Sequence, residues 1–343
     1  MEDTAQTRKP WVETPLKESY ALSRATGCRV FLKLENLQPS GSFKDRGIGN
    51  YLLTHLSRPS EESPAHPTHF YSSSGGNAGL ACTHAARALS RPCTIVVPQS
   101  TPALMTAKMR AAGASDVVQV GATWADADAH LRAEVLAKDP GGVYVPPFDH
   151  PAIWDGHASV VREIAAQMPA GERPDAVLCS VGGGGLLCGV VQGIMALGWR
   201  DVPVLAVETK GADSLATSLR KGENVRLSGI TSKATTLGAA RVADRTFELA
   251  SGRDGDKATC VGVKSVVLTD EQAARACVKL SDDERMMVEL SCGVTLAVCY
   301  EGLLESVLGP GKLTKDSKVV VIACGGSNTT AEMLADWRKQ YCS

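Results

Sequence analysis

No apolar run in this chain reaches the length of a membrane-spanning helix. The start, Met1-Glu2-Asp3-Thr4, is acidic and lacks an apolar segment, so neither a secretory signal nor an Arg-rich transit peptide is expected there. The charge is nearly balanced, with a net value of −1, which gives no general attraction to nucleic acid or to an anionic membrane. The 11 cysteines contain no C-x-x-C pair, and the 7 histidines form no H-E-x-x-H. Zinc sites and a secreted disulfide framework are thereby disfavoured; scattered thiols in apolar runs (Cys82, Cys179, Cys188, Cys299) fit a reduced, cytoplasmic protein. No Gly-Lys-Ser/Thr follows the glycine-rich loop at Gly182, so it is not a nucleotide P-loop.

What is present is an ordinary globular balance, 44% hydrophobic and 21% charged over 343 residues, enough for two domains or one large one. Short strand-like runs alternate with helix-like ones. Val30, Leu32 and Leu34 alternate with Phe31 and Lys33 and predict a strand. Further strands are expected at His69–Ser72, Cys93–Val97, Val117–Val120, Val177–Cys179, Val204–Val207, Val263–Leu268 and Lys318–Ala323. Between them helices are expected after Lys44, through Ala86, from a Thr101 cap with Pro102 at the first helical position to Gly113, over Trp124–Leu136, through Leu197, near Glu271–Lys279, over Val294–Leu304 and at the carboxyl end. Residues 141–157, with three prolines, read as a crossover, and Arg220–Asp256 resists assignment. The pattern predicts an α/β fold: two domains, each an open, mostly parallel twisted sheet covered by helices.

Three loops carry chemistry. Gln38-Pro39-Ser40-Gly41-Ser42-Phe43-Lys44-Asp45-Arg46-Gly47 places one lysine in a tight turn before a helix, where partial desolvation favours a nucleophilic amine; the plainer alternative is a solvated surface lysine. Val181-Gly182-Gly183-Gly184-Gly185 lies between a strand and a helix. Successive backbone N–H groups there can converge on a phosphate at the helix amino end, and the plainer alternative is a close strand–helix approach. A dinucleotide fingerprint fails because its third glycine would be Leu187 or Cys188. Ser73-Ser74-Gly75-Gly76-Asn77-Ala78-Gly79 offers hydroxyls and amides for a carboxylate, or simply caps its helix. Cys324, taken alone, reads as a core cysteine at the end of the last strand. Together, a lysine, a single-phosphate cradle and a carboxylate clamp describe a pyridoxal-phosphate site.

The chain resembles the fold-type-II pyridoxal-phosphate enzymes, and within them the eukaryotic L-serine/L-threonine dehydratases. The likeness covers nearly the whole length. It rests on the run Lys33 to Lys44, the Ser73–Gly79 loop, Pro147-Phe148-Asp149-His150-Pro151-Ala152-Ile153-Trp154-Asp155-Gly156-His157, the glycine loop, Val207-Glu208-Thr209-Lys210-Gly211-Ala212 and Cys324-Gly325-Gly326-Ser327-Asn328.

The resemblance implies roles. Lys44 holds the cofactor covalently and then removes the substrate α-proton. Phe43 packs on the pyridine ring, Asn77 donates to its 3′-oxygen, and Ser74, Gly76 and Asn77 hold the substrate carboxylate. Gly182, Gly183, Gly184 and Gly185 bind the phosphate, which in this family protonates the departing hydroxyl, and Cys324 faces the ring nitrogen. A monovalent cation such as K⁺ is implied on the carbonyls of Gly182, Ala212, Leu237 and Ala239 with the Glu208 and Ser214 side chains. Gly75 stands where strongly active relatives often carry alanine and where serine racemase carries a serine. A small domain over 39–149, a large one made of 1–38 and 150–343, the cofactor in the crevice between them and a homodimer are also implied. The expected activity is elimination from L-serine to pyruvate and ammonia, and from L-threonine to 2-oxobutyrate. Serine racemase, a β-replacing synthase and a weakly active or non-catalytic cofactor-binding relative are the alternatives.

Overall fold

The computed structural model describes residues 9–57, 67–169, 171–253 and 261–342; Met1–Thr4 and the last three residues of the Arg220–Asp256 stretch lie outside them. Ten strands occur among these residues: β1 (Leu16–Glu18), β2 (Arg29–Lys33), β3 (Phe70–Ser72), β4 (Cys93–Val97), β5 (Asp116–Gln119), β6 (Val143–Tyr144), β7 (Ala176–Ser180), β8 (Val204–Thr209), β9 (Val263–Leu268) and β10 (Lys318–Ile322). They form two sheets, ordered β5-β4-β3-β6 and β1-β2-β10-β7-β8-β9. Every pairing is parallel except that of the edge strand β1 with β2. The fold is therefore the α/β class that the strand–helix alternation predicts.

The chain divides into two units. The first takes in Gln38–Gly156 with the stretch up to Val12, and the second Glu13–Leu37 with His157 onward. In the first unit, Ile48 and Leu52 of the helix Lys44–Leu56 share a buried cluster with Leu80, Ala81 and Ala85 of the helix Asn77–Ala88, and with Phe70 and Ile95 of the sheet. In the second unit, β7 and β8 are buried along their whole length. Such strands read as continuous apolar runs because helices cover both faces.

Four features depart from the sequence reading. Pro102 occupies the cap position with extended backbone (φ −57°, ψ 139°), the helix spans Ala103–Ala112, and no side chain caps it, so Thr101 is not the cap. The helix expected over Trp124–Leu136 is α-helical to His130 and then widens into a π-turn over Leu131–Val135. The supposed crossover contains the start of a 17-residue helix, Pro151–Gln167, which tolerates Pro151 at its first position because no N–H is needed there. The helix expected from Val294 spans Leu290–Tyr300, with Gly293 inside it. A Cβ on Gly293 would lie 2.4 Å from the Ala273 carbonyl oxygen and from Cys277 Sγ, so the neighbouring helix Asp270–Glu284 comes too close for any side chain. The described part of the unassigned stretch, 220–253, contains the end of the helix Ser214–Lys221, a 3-10 turn at Thr235–Leu237 and the helix Asp244–Ser251.

Candidate active site

In the first unit, three parallel strands send their carboxyl ends toward the predicted residues. β3 runs into the Ser73–Gly79 loop, β4 leads to Thr101, and β6 leads to Pro147 and Phe148. Lys44 is the first residue of its helix and is half-buried. Its Nζ donates to the Pro147 carbonyl at 2.6 Å. The same nitrogen lies 5.3 Å from the Phe43 ring centroid and 6.0 Å from that of Phe148. Asn77 likewise opens its helix, with Gly76 at the cap position and no side chain satisfying the cap. The amides at that end are disposed toward an anion. Gly79 permits the loop's approach, since a Cβ there would sit 1.9 Å from the Ser74 carbonyl oxygen. Gly75 faces Thr101, whose Oγ1 would lie 2.6 Å from an added Cβ. Thus Phe43, Lys44, Ser74, Gly76 and Asn77 all belong to this unit, where Phe148 lies by Lys44 and Thr101 by Gly75, two neighbours to which the sequence reading gave no role here.

In the second unit, the glycine loop leaves the carboxyl end of β7 and Cys324 follows β10; these neighbouring parallel strands open on the same edge of the sheet. Gly184 has φ +91°, and a Cβ on it would lie 2.0 Å from Thr246 Oγ1. The Gly183 carbonyl accepts from the Ala243 N–H at 3.0 Å. The cradle is therefore backed by the helix Asp244–Ser251, which the sequence pattern left unassigned. It ends on the amino terminus of the helix Gly185–Ala196, the disposition that suits a phosphate. Gly184→Ala is expected to remove cofactor binding, because it combines left-handed backbone with a clash on a fully buried threonine. A titration of the purified variant with pyridoxal phosphate, followed by absorbance, checks this; saturable binding at wild-type affinity would refute it.

Cys324 is buried, with Sγ 3.4 Å from Ser180 Oγ. A hydrogen bond with Cys292 and burial both push its thiol well above the ordinary range, so it stays neutral. Beside it lies Glu289, a buried acid to which the sequence reading gave no role. Its carboxylate accepts from the Asn328 N–H at 2.7 Å and from Thr236 Oγ1 at 2.5 Å. No sequence signal marks it, because Thr236 and Asn328 come from segments far from it in the chain.

The predicted cation ligands fall into two contacts. Gly182 packs on Leu237, with an added Cβ 3.2 Å from its Cα and 3.4 Å from its carbonyl oxygen. Glu208, at the end of β8, accepts from the Leu215 and Ala216 N–H groups, each at 2.8 Å, and so caps the helix that Ser214 begins. Burial raises the Glu208 carboxyl to about 8 against the pull of those two amides. Ser214 Oγ is buried and has no hydrogen-bond partner among the described residues. Ala212 is fully buried nearby in sequence. An unsatisfied buried hydroxyl on the residue next to the helix amide that a buried carboxyl group caps offers oxygen donors of the kind that suit a hard cation. Taken unit by unit, the Lys44 amine of the first suits the aldehyde of pyridoxal phosphate, and the glycine loop at a helix amino end and the neutral thiol of the second suit its phosphate and its ring.

The sequence matches the family described as "Pyridoxal-phosphate dependent enzyme" over residues 8–325. It is 43% identical over 330 residues to a Bos taurus protein named "L-serine dehydratase/L-threonine deaminase", covering 96% of this chain and 95% of that one. It is 45% identical to a Homo sapiens protein named "Serine dehydratase-like", with 94% and 92% covered. Among solved structures, that of a fungal L-serine ammonia-lyase from Rhizomucor miehei superposes with a TM-score of 0.86 at 35% identity, over 97% of this chain and 100% of the other. By this match and this identity, the chain belongs to the family of pyridoxal-phosphate-dependent enzymes.

Proposed function

We propose that the protein is an ammonia-lyase that converts L-serine to pyruvate and ammonia, and L-threonine to 2-oxobutyrate. The observation that carries this reading is the 43% identity, across 96% of the chain, to a protein named for those two activities. Bound pyridoxal phosphate supplies an electron sink for the negative charge that develops when the substrate loses its α-proton. The chain's own residues supply the rest. Lys44 Nζ would hold the cofactor and, when not attached to it, would take the proton from the substrate α-carbon. Phe43 would pack against the ring, and Asn77 would donate to its 3′-oxygen. Ser74, Gly76 and Asn77 receive the carboxylate at a helix amino end, which favours negative charge. Gly182, Gly183, Gly184 and Gly185 receive the phosphate. Cys324 offers the ring nitrogen a neutral partner; lacking a carboxylate's charge, it does not favour a protonated ring, and this suits elimination over amino transfer.

The test is a 2-oxo acid assay on purified, cofactor-loaded protein in K⁺ buffer, with L-serine, D-serine and L-threonine in parallel. Pyruvate from L-serine with little from D-serine supports the reading. A cofactor absorbance band without 2-oxo acid from any of the three would replace it with racemisation, replacement chemistry or a non-catalytic role.

The second ligand of this proposal is K⁺, on Glu208, Ser214 and the carbonyls of Gly182, Ala212, Leu237 and Ala239. Activity is expected to be several-fold higher in K⁺ than in Li⁺ at equal ionic strength, and Glu208→Gln is expected to abolish the difference. Equal rates in both salts would remove the site.

A further inference from the structure

The first unit holds a polar cluster that none of these roles uses. Asp128, on the helix Trp124–His130, is the acceptor for three side chains. Ser73 Oγ donates to its Oδ1 at 2.6 Å, Tyr144 OH to the same oxygen at 2.7 Å, and Arg132 Nε to Oδ2 at 2.8 Å. The Arg132 guanidinium also lies 3.8 Å from the Tyr144 ring centroid. Tyr144 comes from β6, paired beside Tyr71 of β3, and its carbonyl accepts from Tyr51 OH of the Lys44 helix at 2.8 Å. Burial works to raise the Asp128 carboxyl, but the hydrogen bonds from Ser73, Arg132 and Tyr144 outweigh it and hold the group below the usual carboxylate range. A fixed anion, neutralised by one guanidinium, thus grips a buried serine.

That serine is the first residue of the loop that leads into Ser74, Gly76 and Asn77. The loop rests on Gly79 through the Ser74 carbonyl, and the Ser74 hydroxyl accepts from the Gly76 N–H at 3.4 Å. Asp128 fixes the point where the loop leaves β3. Arg132 stands at the π-turn, a local irregularity that recurs at functional sites.

We propose that Asp128, oriented by Tyr144 and Arg132, is a positioning residue for the substrate-carboxylate loop and acts through Ser73. This rests on the assignment of Ser74, Gly76 and Asn77 to the substrate carboxylate. Preset amides bind an anion without first being ordered, so loss of the anchor weakens ground-state and transition-state binding alike. The effect falls on KM and leaves kcat nearly unchanged.

The test compares wild type, Ser73→Ala, Asp128→Ala, their double variant and Tyr144→Phe, all cofactor-loaded. KM and kcat for L-serine are measured, together with amide hydrogen exchange of residues 73–79 without substrate. Each of the first two substitutions is expected to raise KM about tenfold, the size of one hydrogen bond to a charged group, with kcat within about threefold and faster loop exchange. The double variant is expected to match Asp128→Ala, because both act through one contact. Tyr144→Phe, which keeps the ring, should give a smaller rise of the same kind. Unchanged KM and exchange in folded variants would overturn the proposal, as would multiplying KM effects in the double variant. A lowered melting temperature with wild-type KM would also overturn it, since that marks a purely structural role. If wild type makes no 2-oxo acid, the functional reading fails on its own, and the exchange arm still decides whether Asp128 orders the loop.

Discussion

Lys44→Ala is expected to lose turnover of L-serine by about four orders of magnitude or more, since general base catalysis alone contributes about 10²–10⁴-fold and the covalent attachment is lost with it. The fold should survive. Alanine is the best helix former, and position 44 opens its helix, so Lys44–Leu56 keeps its hydrogen bonds. The lysine is half-buried and contacts the Pro147 carbonyl and two aromatic rings, so its removal vacates little core volume. The measurement is 2-oxo acid formation beside a circular dichroism spectrum and a thermal melt. A variant that still turns over L-serine in a cofactor-dependent way would end the assignment of Lys44.

The second large effect is on stability. Lys33→Met is expected to destabilise the protein by about 3 kcal/mol, the lower end of what removing one partner of a buried ion pair costs. Lys33 is fully buried in β2, and its Nζ donates to the Thr14 carbonyl at 2.6 Å, Glu163 Oε2 at 2.7 Å and Gln167 Oε1 at 2.9 Å. Thr14 is tied in turn to the buried Glu35 by a 2.6 Å hydrogen bond. Methionine fills much of the same volume but takes the ammonium away from Glu163, whose carboxylate keeps the Thr14 N–H at 3.3 Å, and from the Thr14 carbonyl, which keeps Gln167 Nε2 at 3.0 Å. Glu163 keeps 15% exposure, so water relieves part of the penalty. At about 2–4 °C per kcal/mol for a unit of this size, the melting temperature should fall by roughly 6–12 °C. The paired variant Lys33→Met with Glu163→Leu should recover part of the loss, because neither member of that ion pair is then left without the other. A melting temperature within about 2 °C of wild type for Lys33→Met would refute the argument.

Lys33 also shows where sequence reading stops. The alternation of Val30, Leu32 and Leu34 with Phe31 and Lys33 identifies β2, because period 2 is a property of the backbone. It does not reveal that the second face is buried too. That depends on Glu163 and Gln167, 130 and 134 residues away. The strands at Cys93–Val97 and Val263–Leu268 match their apolar runs residue for residue. The helix from Pro151 was hidden because its prolines suggested a break, although one at a first helical turn is harmless.

The sequence by itself determined the α/β class, the Lys44 turn and the tetraglycine loop. Each is a local matter: periodicity of apolar residues, punctuation by glycine and proline, and the backbone freedom that an anion cradle requires. Tertiary structure alone decided what stands behind those loops. Thr246 makes Gly184 obligatory, Thr101 fills the space beside Gly75, Glu208 caps the helix beginning at Ser214, and Asp128 grips Ser73. The physical reason is common to all four. A glycine's necessity or a carboxylate's partner is set by atoms that close contact brings from elsewhere in the chain, and no spacing along the sequence encodes which atoms those will be.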